Sequence, residues 1–198
     1  MNTSEVQKDV FLCERRFFLN PRKSKYVSIC ISCQLNYTPC VIISGNKNDM
    51  LVFSEKDWND FVSNKEIINS LLVTSDSTDL IDIGRFCVEV KQLPHTSVVR
   101  MYTGDSSVRL SFKSVSKLWH LIPIIQYRLE LLKHQGFSVV IILLRAGTKG
   151  NEIIETSLSL LETIKRLNPE MYTFGLEVIY NYPELLIEES NYEKSTIF

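Results

Sequence analysis

The stretch 51-LVFSEKDWNDF-61 and a second stretch, 108-VRLSFKSVSKL-118, align without a gap at an offset of 57. Val41/Val98, Ser54/Ser111, Lys56/Lys113, Ile67/Ile124, Ile68/Ile125 and Leu72/Leu129 are identities, and Leu51/Val108, Phe53/Leu110 and Phe61/Leu118 keep apolar character. In both stretches a short alternating segment runs into a Ser, after which the apolar period lengthens to that of a helix. The unit is therefore a sheet followed by a helix, present twice.

Working outward in the second copy, 85-RFCVEVK-91 places Phe86, Val88 and Val90 on one face and Arg85, Glu89 and Lys91 on the other. That is the alternation of a half-buried antiparallel strand. Turns at Pro94 and at Gly104-Asp105-Ser106 separate it from 97-SVVRMYT-103 and 108-VRLSF-112, whose outward face carries Arg100, Tyr102 and Arg109. Ser114-Val115-Ser116 is a helix-capping signal, and Leu118, Trp119, Ile122, Ile125, Leu129 and Leu132 then recur at helical spacing as far as Gly136. Pro123 inside it predicts a kink or a break into two helices. The first copy predicts strands near 10–19, 26–34, 39–44 and 50–54. Ser54-Glu55-Lys56-Asp57, with an acid three residues after a Ser, resembles a capping box and opens a helix from about 55 to 72. The polar 74-TSDSTD-79 links the copies.

The last third differs. 137-FSVVIILLR-145 reads as a buried strand, residues 148–169 as an amphipathic helix, 172-YTFGLEVIY-180 as another strand and 188–198 as an acidic tail. The expected fold is α+β: two tandem antiparallel four-stranded sheet plus helix repeats related by a pseudo-twofold, with a C-terminal strand-helix-strand extension. The segments are 1–73, 80–136 and 137–198. A unit this small buries too little surface to stand comfortably alone, which favours pairing of the copies.

Charge is segregated. The formal net charge is −1, yet from Arg15 to Asn48 there are six basic residues and no acid, whereas 137–198 holds five basic and nine acidic residues. Within 15-RRFFLNPRKSKY-26 five cations are interleaved with three aromatics. Aromatics that stack bases beside cations that neutralise phosphates make a single-strand nucleic-acid surface. A solvated hairpin tip with one outward Phe is the plainer reading, and the recurrence of cations and a Tyr on the second copy's outward face weighs against it. The candidate contacts are Arg15, Arg16, Phe18, Arg22, Lys23, Lys25, Tyr26, Lys91, Arg100, Tyr102, Arg109 and Lys113.

No Gly-rich phosphate loop, GxSxG, HExxH or calcium-loop pattern occurs, and His95, His120 and His134 show no ligand spacing, so the chain reads as a non-enzyme without metal or cofactor. Five cysteines without a secretory signal fit the nucleus or cytoplasm. Cys30-x-x-Cys33 lies in a strand and has no second pair to complete a zinc site, so its thiols read as buried or half-buried packing groups. The run 139-VVIILL-144 is too short to span a bilayer, and no membrane partner is expected. The expected partners are single-stranded DNA or RNA, with a homodimer or a protein partner bound through the C-terminal third as further candidates.

With Trp58 on the first turn of its helix, 51-LVFSEKDWNDF-61 resembles the transcription coactivator positive cofactor four. 85-RFCVEVKQ-92 with 108-VRLSFKSVSKLWHLI-122 is similar to a Pur-alpha repeat, in a group that also holds the Whirly proteins. The likeness covers about residues 10–136. It implies single-stranded DNA or RNA binding in transcription, replication or RNA handling. In the second copy Val115 stands where the helix Trp would be.

Overall fold

The computed structural model describes residues 9–45, 49–74, 79–93, 96–104, 106–147, 161–162, 164–165 and 168–187. The first sheet contains β1 (Phe11–Phe18), β2 (Tyr26–Ser32), β3 (Thr38–Ser44) and β4 (Met50–Ser54) in that spatial order. The second contains β5 (Asp79–Ile83), β6 (Phe86–Leu93), β7 (Thr96–Thr103) and β8 (Ser106–Ser111), again in order. The two tandem antiparallel sheets with following helices are the α+β fold that the repeat predicts. β5 falls at the edge of the polar linker and adds a strand to those expected from the sequence. It pairs with β6 from Asp79↔Val90 to Ile83↔Phe86.

Each sheet passes directly into a helix because a Ser at its end satisfies the first free amides. Ser54 Oγ accepts from the Asp57 amide at 3.2 Å while Asp57 Oδ2 accepts from the Ser54 amide at 3.2 Å, the reciprocal capping box. α1 (Glu55–Ser63) ends at Asn64 and α2 (Lys65–Thr74) restarts, so the expected single helix is two. At the aligned position in the second copy Ser111 Oγ lies 3.4 Å from the Ser114 amide, and α3 (Phe112–Lys133) runs through Pro123 unbroken. The cap is Ser111, not the 114–116 segment; Ser114 is already buried in the first turn.

The chain divides into two compact units. One comprises Glu14–Ile31 and Pro39–Leu132 and therefore holds most of both sheets with α1, α2 and α3. Its core is shared between the repeats. β4 lies beside β8, α1 packs on β4 and β5, and α2 packs on β6 and β7 of the other copy's sheet. Phe53 of β4 stacks on Phe86 of β6 at 4.2 Å between ring centroids. Trp58 and Phe61 of α1 surround Phe53, and Trp119 of α3 meets Phe61 at 5.2 Å. Gln92 Nε2 and Ser97 Oγ both donate to the Leu72 carbonyl that ends α2, at 3.1 Å each.

The other unit draws its described residues from Met1–Cys13, Ser32–Thr38 and Lys133–Phe198. Here two expected strands are helices. α4 (Phe137–Gly147) occupies the stretch read as 137-FSVVIILLR-145, and α5 (Pro169–Asn181) the stretch read as 172-YTFGLEVIY-180; α6 (Glu184–Ile187) follows. Burial gives the reason. Phe137, Val140, Ile141 and Leu144 are buried in α4, and Phe174, Gly175, Val178 and Ile179 in α5, both spacings of a helix face. Asn168 caps α5, its Oδ1 accepting from the Glu170 amide at 3.0 Å, with Pro169 at the first turn. Most of the expected helix at 148–169 and the tail at 188–198 lie outside the described residues.

Candidate nucleic-acid interface

β1 and β2 are joined by a hairpin turn over residues 19–25 that Asn20 holds from within. Leu19 N–H donates to the Lys25 carbonyl at 2.8 Å, Asn20 Oδ1 accepts from the Lys25 amide at 3.0 Å, and Asn20 Nδ2 donates to Ser24 Oγ at 2.9 Å. Lys23 adopts φ +54°, a left-handed position that the turn imposes. Arg22 and Lys23 are exposed.

The rings of this hairpin carry cations on their faces. Phe18, 37% exposed, meets Tyr26 edge-on at 6.4 Å; Lys23 Nζ lies 5.6 Å from the Phe18 centroid and the Arg16 guanidinium 4.7 Å from that of Tyr26. Each contact is worth roughly 0.5–1 kcal/mol at an exposed site, enough to bias the positions of long cationic chains without fixing them. Arg16 also pairs with Glu14 at 2.5 Å. Strand alternation sets Arg15 apart from this group, with Phe17, whose ring centroid is 5.9 Å from its guanidinium.

On the second sheet the register aligns Glu89 with Arg100 and Arg100 with Arg109 across β6, β7 and β8. Two arginines side by side repel. Glu89 offsets this, 3.9 Å from Arg100 and 3.0 Å from Lys91. The Arg100 guanidinium lies 5.0 Å from the Tyr102 centroid, and its buried Nε has no hydrogen-bond partner. Lys91, Arg100 and Arg109 rim a hollow of about 240 Å³ whose floor is Leu93 and Val98.

Lys25 joins the two regions. Its Nζ donates to the Arg109 carbonyl at 2.6 Å, and both residues line a cleft of about 260 Å³ with Ser107, Gly45 and Asp49. Burial pushes the Lys25 ammonium below the usual lysine range. The fold thus brings Lys25, at the end of the hairpin, against Arg109, which stands opposite Arg100 in the register of β7 and β8. Lys113 stands apart, at the start of α3, in a different hollow of about 590 Å³ with Leu72, Val73, Ser97 and Phe112.

No protein-family profile matches the chain, and neither does any curated protein or any solved structure.

The acids were not part of the expected site. Glu14 and Asp49 sit just outside the acid-free window 15–48, and folding returns both to the cations, Glu14 to Arg16 and Asp49 to the cleft. Glu89 lies on the outward face in the strand alternation, and the signal that would have found its role is its place opposite Arg100 once β6 and β7 are paired. Arg85 pairs with Asp57 at 3.2 Å, tying the second sheet to the capping box. Among the described residues no group of three His, Cys, Asp or Glu side chains converges as a metal site requires. His120 is exposed on α3, its Nδ1 hydrogen-bonded to the Ser116 carbonyl at 2.7 Å. Among the described residues no helix is long and apolar enough to cross a membrane.

Proposed function

We propose that this chain binds single-stranded DNA or RNA with little sequence preference and without catalysing a reaction, in the nucleus or cytoplasm, serving transcription, replication or RNA handling. The observation that carries the reading is the Lys25–Arg109 contact, which brings the ring-and-cation hairpin against β8 and supports a path from it to the outward cations of the second sheet. A strand laid along this path would place phosphates on Arg22, Lys23, Arg109 and Arg100. Its bases would stack on Phe18, Tyr26 and Tyr102 or on the guanidinium planes lying over the tyrosines, each stack contributing about 1–3 kcal/mol. The resemblance to the positive cofactor four, Whirly and Pur-alpha group supports the same reading.

Titrating labelled oligo-dT, an equivalent RNA and a duplex of equal length tests it. Both single strands should bind at low salt, the duplex less well, and log affinity should fall linearly with log salt at about 0.7 per phosphate neutralised. Replacing Arg22 and Lys23 by Glu should weaken binding at least about tenfold, or about 1.4 kcal/mol. A folded protein that binds neither strand at low salt defeats the proposal. A second reading, a protein contact or homodimer formed through the C-terminal third, is favoured by Val139, Ile142 and Leu143, which α4 leaves exposed. A monomeric mass in gel filtration that is unchanged by concentration counts against the homodimer.

A further inference from the structure

β2 and β3 are neighbours in the first sheet, and Cys30 and Cys40 stand on them with Sγ atoms 3.4 Å apart. Neither residue is in a disulfide, and both are fully buried. In sequence the eye goes to Cys30-x-x-Cys33. Cys33, however, lies in the turn beyond β2, past the end of the strand that carries Cys30. The sulfur that meets Cys30 comes from the next strand.

We infer that Cys30 and Cys40 are an oxidisable pair, a modification site at which a peroxide forms a disulfide that staples β2 to β3. Neighbouring strands run about 4.7–4.9 Å apart, within the Cα separation of about 4.4–6.8 Å that a disulfide spans. The sulfurs have only to move from 3.4 Å to a bond of about 2.0 Å, which modest side-chain rotation supplies. Ser28, two residues earlier on the same strand face, has a buried hydroxyl without a hydrogen-bond partner, a group available to hold the peroxide or the oxidised sulfur.

One sulfur, as thiolate, attacks a peroxide oxygen; the O–O bond breaks, and the departing hydroxide takes the proton that the thiol released, leaving as water. The sulfenic acid formed is attacked by the second sulfur, whose proton leaves with the displaced hydroxide as a second water. The pair loses two electrons and one peroxide becomes two waters. Because both thiols are buried, a small neutral peroxide reaches them during transient opening of the sheet, while bulky thiol reagents react slowly. The inference does not depend on the proposed nucleic-acid path.

Full-length protein treated with hydrogen peroxide, unfolded, alkylated and mapped by mass spectrometry tests the inference. The expected product has lost two hydrogens, yields a peptide linking Cys30 to Cys40 and regains both thiols with dithiothreitol. It should also melt several degrees higher than the reduced protein, since a closed loop restrains the unfolded chain. Cys30→Ser or Cys40→Ser abolishes the link, and Cys33→Ser leaves it. Should the serine variants not fold, the map of wild type beside Cys33→Ser decides. A link from Cys30 to Cys33, or recovery of Cys30 and Cys40 as alkylated thiols after Cys87, the half-buried thiol on β6, is fully oxidised, overturns the inference.

Discussion

Glu89 touches Lys91 at 3.0 Å and Arg100 at 3.9 Å, on the sheet face where phosphate would have to approach. A phosphate must compete with that carboxylate for both cations. Glu89→Gln keeps the shape and removes the charge, so single-strand affinity should rise several-fold at low salt, with the gain shrinking as salt screens the site. An anisotropy titration of oligo-dT at two salt concentrations reads this directly, and unchanged affinity at low salt would show that Lys91 and Arg100 make no phosphate contact. The cations of the candidate interface were readable from local composition, because a run such as 15-RRFFLNPRKSKY-26 is contiguous. The acids that temper them were not. Glu14, Asp49 and Glu89 are scattered in sequence, and only strand pairing and the turn at 45–49 bring them to the cations.

At the scale of the element, helix starts depend on single side chains. Ser54→Ala removes the acceptor for the Asp57 amide and half of the capping box, and should cost about 1 kcal/mol, read as a lowered midpoint in urea. A loss within error would mean that Asp57, held also by Arg85, positions the turn alone. In α5 the sensitive residue is Gly175, packed so closely on Leu161 that an added methyl would overlap its buried Cδ2. Alanine favours helix over glycine by about 1 kcal/mol, whereas overpacking costs about 1–3 kcal/mol, so Gly175→Ala should be neutral to destabilising where an open helix position would be stabilised. A clear rise in melting temperature would show that Leu161 moves aside freely. These elements also mark where local reading worked and where it failed. Alternation with one polar face identified β6, β7 and β8, and the Ser-to-Asp spacing identified the start of α1. The run 137-FSVVIILLR-145 is rich in β-branched residues and almost wholly apolar, so periodicity could not separate a buried strand from a helix. For α5 the signal was present, since Asn168-Pro169-Glu170 is a helix-entry pattern, but Tyr, Thr, Phe, Val and Ile after it carry strand propensity that tertiary packing overrides.

For the whole molecule, the repeat was legible because aligned positions are buried alike: Phe53 and Leu110, Phe61 and Leu118, Ile68 and Ile125, Leu72 and Leu129 all face the core, while Ile67 and Ile124 are both exposed. What the alignment does not carry is the exchange of partners, with α2 packed on β6 and β7 and Phe53 stacked on Phe86. Such contacts join residues distant in the chain and leave no local period. They bear on cooperativity. If the two copies were independent, damage to α1 would loosen the first copy alone; with one aromatic core it must loosen both. Trp58 is the decisive side chain, fully buried against Phe53 and Phe61, with an indole N–H that has no hydrogen-bond partner. Trp58→Ala should cost about 3–5 kcal/mol, a large part of the 5–15 kcal/mol typical of a folded domain. Trp58→Phe should cost less, because it restores much of the ring and removes the unpaired donor. Amide hydrogen exchange of the alanine variant distinguishes the cases. Protection in β4 and in β6, β7 and β8 should fall by the same amount, since all exchange through one global opening. Protection lost from β4 while the second sheet keeps its wild-type values would show that each repeat is stable by itself and that the shared core joins two domains already folded.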